Sequence, residues 1–344
     1  MSEAGEGTLP AFVRNRLGAA APFASFGAAA GDYGAWRASA LALYEAAVAP
    51  ARTEATVAAG TPADLGRFRR TPLRATFSHG GEAAGAVLTL AGTAPSRAIL
   101  LLHDHGGYFD LGWAKGFPLP EAASWQARLY GGIAPAALLA EAGFAVVSFD
   151  ALGWGGRTVG DPSGQQALAA NLMQTGLTLA AVIAAEDIAV AGWLARHPFA
   201  ADGLAALGFS FGGFRAFQLG ALSPDVRAAA AISWMGRRAD LLAPGNSMAN
   251  GQSAYYTLHP SLVTALDYPD LAGLVAPRPM FLRTGNRDRH FPQATVRAAH
   301  GDIAAIYEAA GAAAKLDAGL FDGAHVCPPA VLEAAVAFLA TSRG

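Results

Sequence analysis

Six short and nearly continuous apolar runs constrain what this chain can fold into: Ala98 to His103, Phe144 to Asp150, Gly203 to Phe209, Ala228 to Trp234, Pro279 to Thr284 and Lys315 to Phe321. Runs of this length and character suit strands that are covered on both faces. Helical stretches separate or follow several of them, at Glu121 to Ala142, Gln165 to His197 and about Pro329 to Thr341. Strands that alternate with helical crossovers imply an α/β chain with a mostly parallel sheet and helices on both faces. Ahead of these runs, Leu73 to Phe77 and Ala86 to Leu90 flank the turn cluster Ser78-His79-Gly80-Gly81, which reads as a β-hairpin.

Two segments depart from the alternation. Residues 1 to 60 carry no clear strand pattern. Asp32 is placed to cap a helix whose Tyr33, Trp36, Leu41, Tyr44 and Val48 fall near one face, with its end before Pro50. The expectation is therefore a helical N-terminal extension over 1–71, followed by one large domain over 72–344. Within that domain residues 235–275, after the sixth strand, are much longer than an ordinary connection and are expected to form an insertion or a lid.

Composition narrows the function. With 53% hydrophobic and 15% charged residues, the chain can bury a large core. A formal net charge of −2 and the lack of a dense Lys/Arg run argue against nucleic acid or an anionic membrane as a partner and favour a small molecule. The apolar stretch from Leu179 to Val190 is interrupted by Glu186 and Asp187, so no membrane span is expected. Cys327 is the only cysteine, which excludes an intrachain disulfide and suits a reducing compartment. With no secretory pattern at the N-terminus, a soluble, cytoplasmic protein is the expectation; the oligomeric state stays open.

The chemistry centres on Gly208-Phe209-Ser210-Phe211-Gly212-Gly213. A Gly-x-Ser-x-Gly between a strand and a helix suits a turn so sharp that side chains two residues either side of the serine would collide. The serine then sits at a helix N-terminus, where unpaired N–H groups favour developing negative charge. At this composition chance supplies the pattern roughly 0.2 times per chain, so its context matters.

A serine nucleophile needs a base and a group that orients the base. Asp288 follows the Pro279 to Thr284 run and suits the acid, with Asp322 as a competitor. His325 follows the Lys315 to Phe321 run and suits the base, with His290 as a competitor. The order Ser210, Asp288, His325 is that of α/β-hydrolases. An oxyanion would be held by the Phe211 N–H and by an N–H of the loop His103-Asp104-His105-Gly106-Gly107, from His105 or alternatively Gly106.

His103-x-His105 with Asp104 could instead suggest a metal site, but a third ligand cluster is missing from the sequence, and no metal is expected. His103 reads better as packed below the oxyanion loop. Gly153 to Arg157 reads as a turn beside the pocket, and Cys327 as a small buried hydrophobe. Tyr108, Phe109, Trp113, Trp154, Trp234, Tyr255 and Tyr256 lie in or beside the same loops, and of these Tyr108, Trp154, Trp234 and Tyr255 are the candidates to line an apolar substrate pocket.

From roughly Pro72 to Arg343 the chain resembles the α/β-hydrolase superfamily, through Gly208 to Gly212, Gly285-Asn286-Arg287-Asp288 with Pro292, and Gly323-Ala324-His325. His103 to Gly107 and Asp150-Ala151-Leu152-Gly153 look like the branch that contains dienelactone hydrolases and acetyl-xylan-esterase-like proteins. Dienelactone hydrolases use a cysteine where this chain has Ser210. The resemblance implies cofactor-free hydrolysis of a small or carbohydrate-linked ester. Cleavage of a peptide or carbon–carbon bond, and a non-catalytic scaffold, are the alternatives.

Overall fold

The computed structural model describes residues 22–28, 32–243 and 255–342, together with Pro10, Phe12, Arg16, Asn246 and Met248. Parts of the expected N-terminal extension and of the 235–275 insertion lie outside these residues.

Among the described residues ten strands form one sheet in the order β1-β3-β4-β6-β5-β7-β8-β9-β10, with β2 paired to β3. The six apolar runs are β5 (Arg97–Leu102), β6 (Ala145–Phe149), β7 (Gly203–Phe209), β8 (Val226–Ile232), β9 (Met280–Gly285) and β10 (Leu316–Phe321). All their pairings with one another are parallel. The expected hairpin is β3 (Phe68–Phe77) with β4 (Glu82–Leu90), antiparallel in the register Thr76↔Glu82, and β4 then joins β6 antiparallel.

Side chains of each central strand alternate between two cores, as the two-residue period of a strand requires. In β9, Phe281 packs with Phe117, Leu139 and Leu332 on one face. Its neighbours Met280 and Leu282 pack with Ile183, Leu271 and Ile303 on the other. The first face is covered by α2 (Ala123–Leu129), α3 (Pro135–Glu141) and α10 (Pro329–Thr341). The second is covered by α5 (Leu179–Ala195), α6 (Phe211–Leu222), α8 (Tyr268–Gly273) and α9 (Gln293–Ala309).

The N-terminal segment is only partly helical. Helix α1 (Tyr33–Val48) starts as expected, with the Asp32 carboxylate accepting from Ala35 N at 3.0 Å, and buries Trp36, Ala40, Tyr44 and Val48 at four-residue spacing. Residues 55–71, however, are strand: β1 (Ala55–Ala59), β2 (Ala63–Leu65) and the start of β3. β3 runs through the expected boundary at 71/72. The two added strands also make β8, not a sixth strand, the one that precedes the insertion.

The described part of the insertion holds α7 (Arg238–Leu241), a turn at Pro260–Leu262 and α8, and it buries Leu262, Leu266, Tyr268 and Leu271. His259 Nε2 lies 2.7 Å from Gln218 Oε1 on α6, and Tyr44 OH of α1 donates to the same oxygen at 2.8 Å. Extension and insertion thus meet on the helix that carries the elbow. Among the described residues no single helix is long and apolar enough to cross a membrane.

Candidate active site

Ser210 joins β7 to α6 with φ 56° and ψ −122°, a left-handed conformation that a residue with a Cβ adopts at a cost. The surroundings enforce it. Ser210 N donates to Ile232 O of β8 at 2.8 Å, and its carbonyl accepts from Gly213 N at 2.8 Å. A Cβ on Gly208 would run into the Gly212 carbonyl, and one on Gly212 into the Leu102 carbonyl. The glycines two residues either side are therefore space requirements of the turn. Ala229 and Ala231 of β8 let α6 lie close, with a Cβ on Gly220 only 3.1 Å from that of Ala229.

The expected acid and base meet this serine. His325 Nε2 is 2.8 Å from Ser210 Oγ, and His325 Nδ1 is 2.7 Å from Asp288 Oδ2. A carboxylate only accepts, so Nδ1 carries the proton and Nε2 presents its lone pair to the serine hydroxyl. The second Asp288 oxygen accepts from His290 N at 2.8 Å and Phe291 N at 3.3 Å, and the carboxylate is closed off from solvent.

Adjacent parallel strands make this arrangement possible, since β9 carries Asp288 and β10 carries His325 just past their carboxyl ends. Asn286 N donates to Phe321 O at 2.9 Å, Arg287 N to Gly323 O at 2.9 Å, and Gly323 N to Asn286 Oδ1 at 3.2 Å. These bonds fix one loop against the other.

The competing residues go elsewhere. Asp322 is exposed and paired with Arg287, and hydrogen bonds from Asn286 and Arg287 hold its pKa below the ordinary value. The His290 ring meets His325 edge-on at 4.7 Å and lies 3.2 Å from Arg289 Nε through its Nε2. Both nitrogens of His103 are taken: Nε2 accepts from Ala151 N at 3.1 Å, so Nδ1 donates to Asp104 O at 2.9 Å.

Below the loop after β5 lies a residue that the sequence reading passed over. Lys115 is fully buried, and its Nζ donates to the carbonyls of Asp104 and His105, both at 2.9 Å. A trans peptide places N–H opposite C=O, so the N–H groups of His105 and Gly106 point away from the lysine. The ammonium also lies 3.7 Å from Asp104 Oδ1, an ion pair beyond hydrogen-bond distance. Asp104 Oδ2 accepts from Tyr130 OH at 2.7 Å and Trp125 Nε1 at 3.2 Å. Burial pulls the Lys115 pKa down to about 8, against the Asp104 charge that holds it up. Gly106 has φ 60°, and a Cβ there would strike the Trp125 ring. The Phe211 N–H, at the first position of α6, is among those that a helix leaves unpaired.

No protein-family profile matches the chain. The Bacillus subtilis (strain 168) protein YtaP, by name a candidate hydrolase, is 23% identical over 223 residues, which is 64% of this chain and 69% of its own. Among solved structures, a candidate acetyl xylan esterase of Bacteroides fragilis NCTC 9343 matches with a TM-score of 0.70 at 16% identity, over 91% of this chain and 83% of its own. A glucuronoyl esterase of Solibacter usitatus matches at 0.60 and 13% identity, over 88% and 91%. An acetyl xylan esterase of Paenibacillus sp. R4 matches at 0.58 and 15%, over 97% and 100%.

The chain has the α/β-hydrolase fold.

In this fold a cleft of roughly 700 Å³ opens over Ser210 and is walled by Phe209, Phe211, Trp234, Tyr256 and Phe291. Of the four aromatic residues expected to line it, only Trp234 does. Trp154 is fully buried behind the wall, with ring centroids 5.1 Å from both Phe211 and His105. Tyr108 is 42% exposed and stacks on Trp125 outside the cleft. Tyr256 takes the place expected for Tyr255, because in an irregular segment nothing in the sequence says which of two adjacent tyrosines turns inward. His105 and Gly106 both line the cleft. Lys115 did leave a signal: it and Lys315 are the only lysines among 24 basic residues, and Lys115 sits in the apolar Trp113-Ala114-Lys115-Gly116-Phe117.

Burial lowers the pKa of His105, His259, His290 and His300 to about 4 and puts His103 well below its ordinary value. A histidine whose folded pKa lies below its unfolded value contributes stability that is present above about 6.5 and is lost as pH falls toward 4. Asp270, raised by burial to about 6, acts the other way: it contributes stability below about 3.8 that is lost as pH rises through 6. Asp150 and Asp267, also raised by burial, share its sign. The histidines are more numerous and act first on acidification. The urea midpoint is therefore expected to be lower at pH 5 than at pH 7, and an equal or higher midpoint at pH 5 would contradict this assignment.

Proposed function

We propose that this protein is a serine carboxylesterase that acts on a small or carbohydrate-linked ester through an acyl-serine intermediate. The observation that carries the reading is the continuous hydrogen-bonded chain from Asp288 through His325 to Ser210, with the serine at the foot of an aromatic-walled cleft and at the head of α6.

In this mechanism His325 Nε2 takes the Ser210 proton as the oxygen attacks the ester carbonyl, and Asp288 stabilises the imidazolium. The N–H groups of Phe211 and His105 hold the oxyanion, with the latter oriented by Lys115. The imidazolium then protonates the departing alcohol. Water, deprotonated by the same ring, attacks the acyl-serine, and the acid leaves. Each step uses groups already within hydrogen-bond reach, so little reorganisation is needed. The acetyl xylan and glucuronoyl esterases with the same fold support ester hydrolysis, on a carbohydrate in particular.

The test is a panel that compares a short-chain aryl ester, the anilide of the same acid, and acetylated xylan. Hydrolysis of the ester and release of acetate from xylan are expected, with the anilide left intact. Faster cleavage of the anilide than of the ester would contradict an esterase.

A further inference from the structure

Charge around the cleft is unbalanced. Three arginines, Arg128, Arg287 and Arg289, line it. Among the described residues one acidic residue lines it, Asp104, and its side chain is wholly buried against Tyr130, Trp125 and Lys115. Arg287 is compensated by Asp322. Among the described residues, Arg128 and Arg289 have no carboxylate within ion-pair distance; Arg128 lies over the Trp125 ring at 5.1 Å, and Arg289 reaches His290 through Nε alone. In the sequence, the stretch 244–254 contains no Asp or Glu. The whole chain is net negative at −2, so the cationic cleft does not follow from overall composition.

Two exposed guanidinium groups from different elements, α2 and the Asp288 loop, thus border one cavity, and among the described residues no carboxylate pairs with either. Arginine presents a planar fork of donors that fits a carboxylate, and low-dielectric walls focus its field into the cleft. We propose that the substrate of this enzyme carries a carboxylate apart from the ester it surrenders, and that Arg128 and Arg289 bind that carboxylate. The inference rests on the esterase reading and specifies its substrate class.

Two matched pairs of esters test it. In one the charge is on the acyl side, 4-nitrophenyl hemisuccinate against its neutral succinamate; in the other it is on the alcohol side, 4-acetoxybenzoate against 4-acetoxybenzamide. After subtraction of uncatalysed hydrolysis, the wild-type enzyme is expected to favour the charged member of at least one pair by about tenfold in kcat/KM, the scale of a charge-assisted bidentate contact. Arg128→Gln and Arg289→Gln should each shrink that preference several-fold, and the double variant should bring it close to one. Addition of about 0.5 M salt should weaken it. Arg69→Gln, on the antiparallel edge of the sheet, should leave the ratio alone. Equal rates within both pairs, or a preference that survives in the double variant, would overturn the proposal while ester hydrolysis stood.

If Ser210-dependent hydrolysis itself is absent, the esterase reading fails, and calorimetry of succinate with the Ser210→Ala protein decides the anion site separately. Binding that is lost on adding Arg128→Gln and Arg289→Gln supports it. Lack of binding overturns it.

Discussion

Ser210→Ala is expected to lower kcat on a short-chain aryl ester by roughly 10⁴- to 10⁶-fold while KM changes little. The hydroxyl is a small part of the cleft wall, so its loss should scarcely disturb ground-state binding; what disappears is the covalent route. The strained conformation of residue 210 is imposed by the bonds to Ile232 and Gly213, and these are backbone bonds that alanine also makes. The variant should consequently fold, and circular dichroism with urea titration checks that it does. Asp288→Asn should lose on the order of 10⁴-fold in kcat, because an amide facing Nδ1 no longer fixes the tautomer that leaves Nε2 free. Unchanged rates in a folded Ser210→Ala protein would remove the mechanism.

The second large effect is at Lys115. Lys115→Met is expected to cost about 3–5 kcal/mol of stability, read from urea unfolding, because it strips a buried carboxylate of its counter-charge and the His105 carbonyl of its short hydrogen bond. The Asp104 carbonyl keeps His103, whereas the His105 carbonyl keeps only the long bond from Tyr108 N at 3.4 Å. Combining Lys115→Met with Asp104→Asn should cost less than the sum of the single changes by about 1 kcal/mol or more, since both remove the same charge pair. In protein that still folds, kcat should fall more than KM rises, because the N–H groups of His105 and Gly106 lose the anchor that turns them from the lysine. A Lys115→Met protein as stable and as active as wild type would show that the peptide planes are held by other means.

The six central strands are legible in the sequence because burial on both faces demands uninterrupted apolar runs, and each run marks a strand to within a few residues. The edge is not. β1, β2 and the start of β3 are half exposed, with Arg69 and Arg70 inside β3, so neither a continuous run nor a clean alternation marks them. That is why residues 55–71 read as part of a helical extension.

The three residues of the Ser210–His325–Asp288 chain stand out for a related reason: in a parallel sheet the loop after each strand opens on one edge, so position along the chain predicts proximity. Residues that reach the site from irregular segments carry no such marker. Lys115 lies in the long connection between β5 and β6, and Tyr256 lies in the insertion. Their placement depends on tertiary contacts with Asp104 and His105, which periodicity does not encode.

The central claim is that Ser210 is an activated nucleophile, and covalent labelling tests it most directly. Folded protein treated with a fluorophosphonate should take up one equivalent, mapped by peptide mass spectrometry to Ser210 and strongly slowed in His325→Ala. Label that is absent, or that falls on another residue at the same rate in both proteins, would contradict the account.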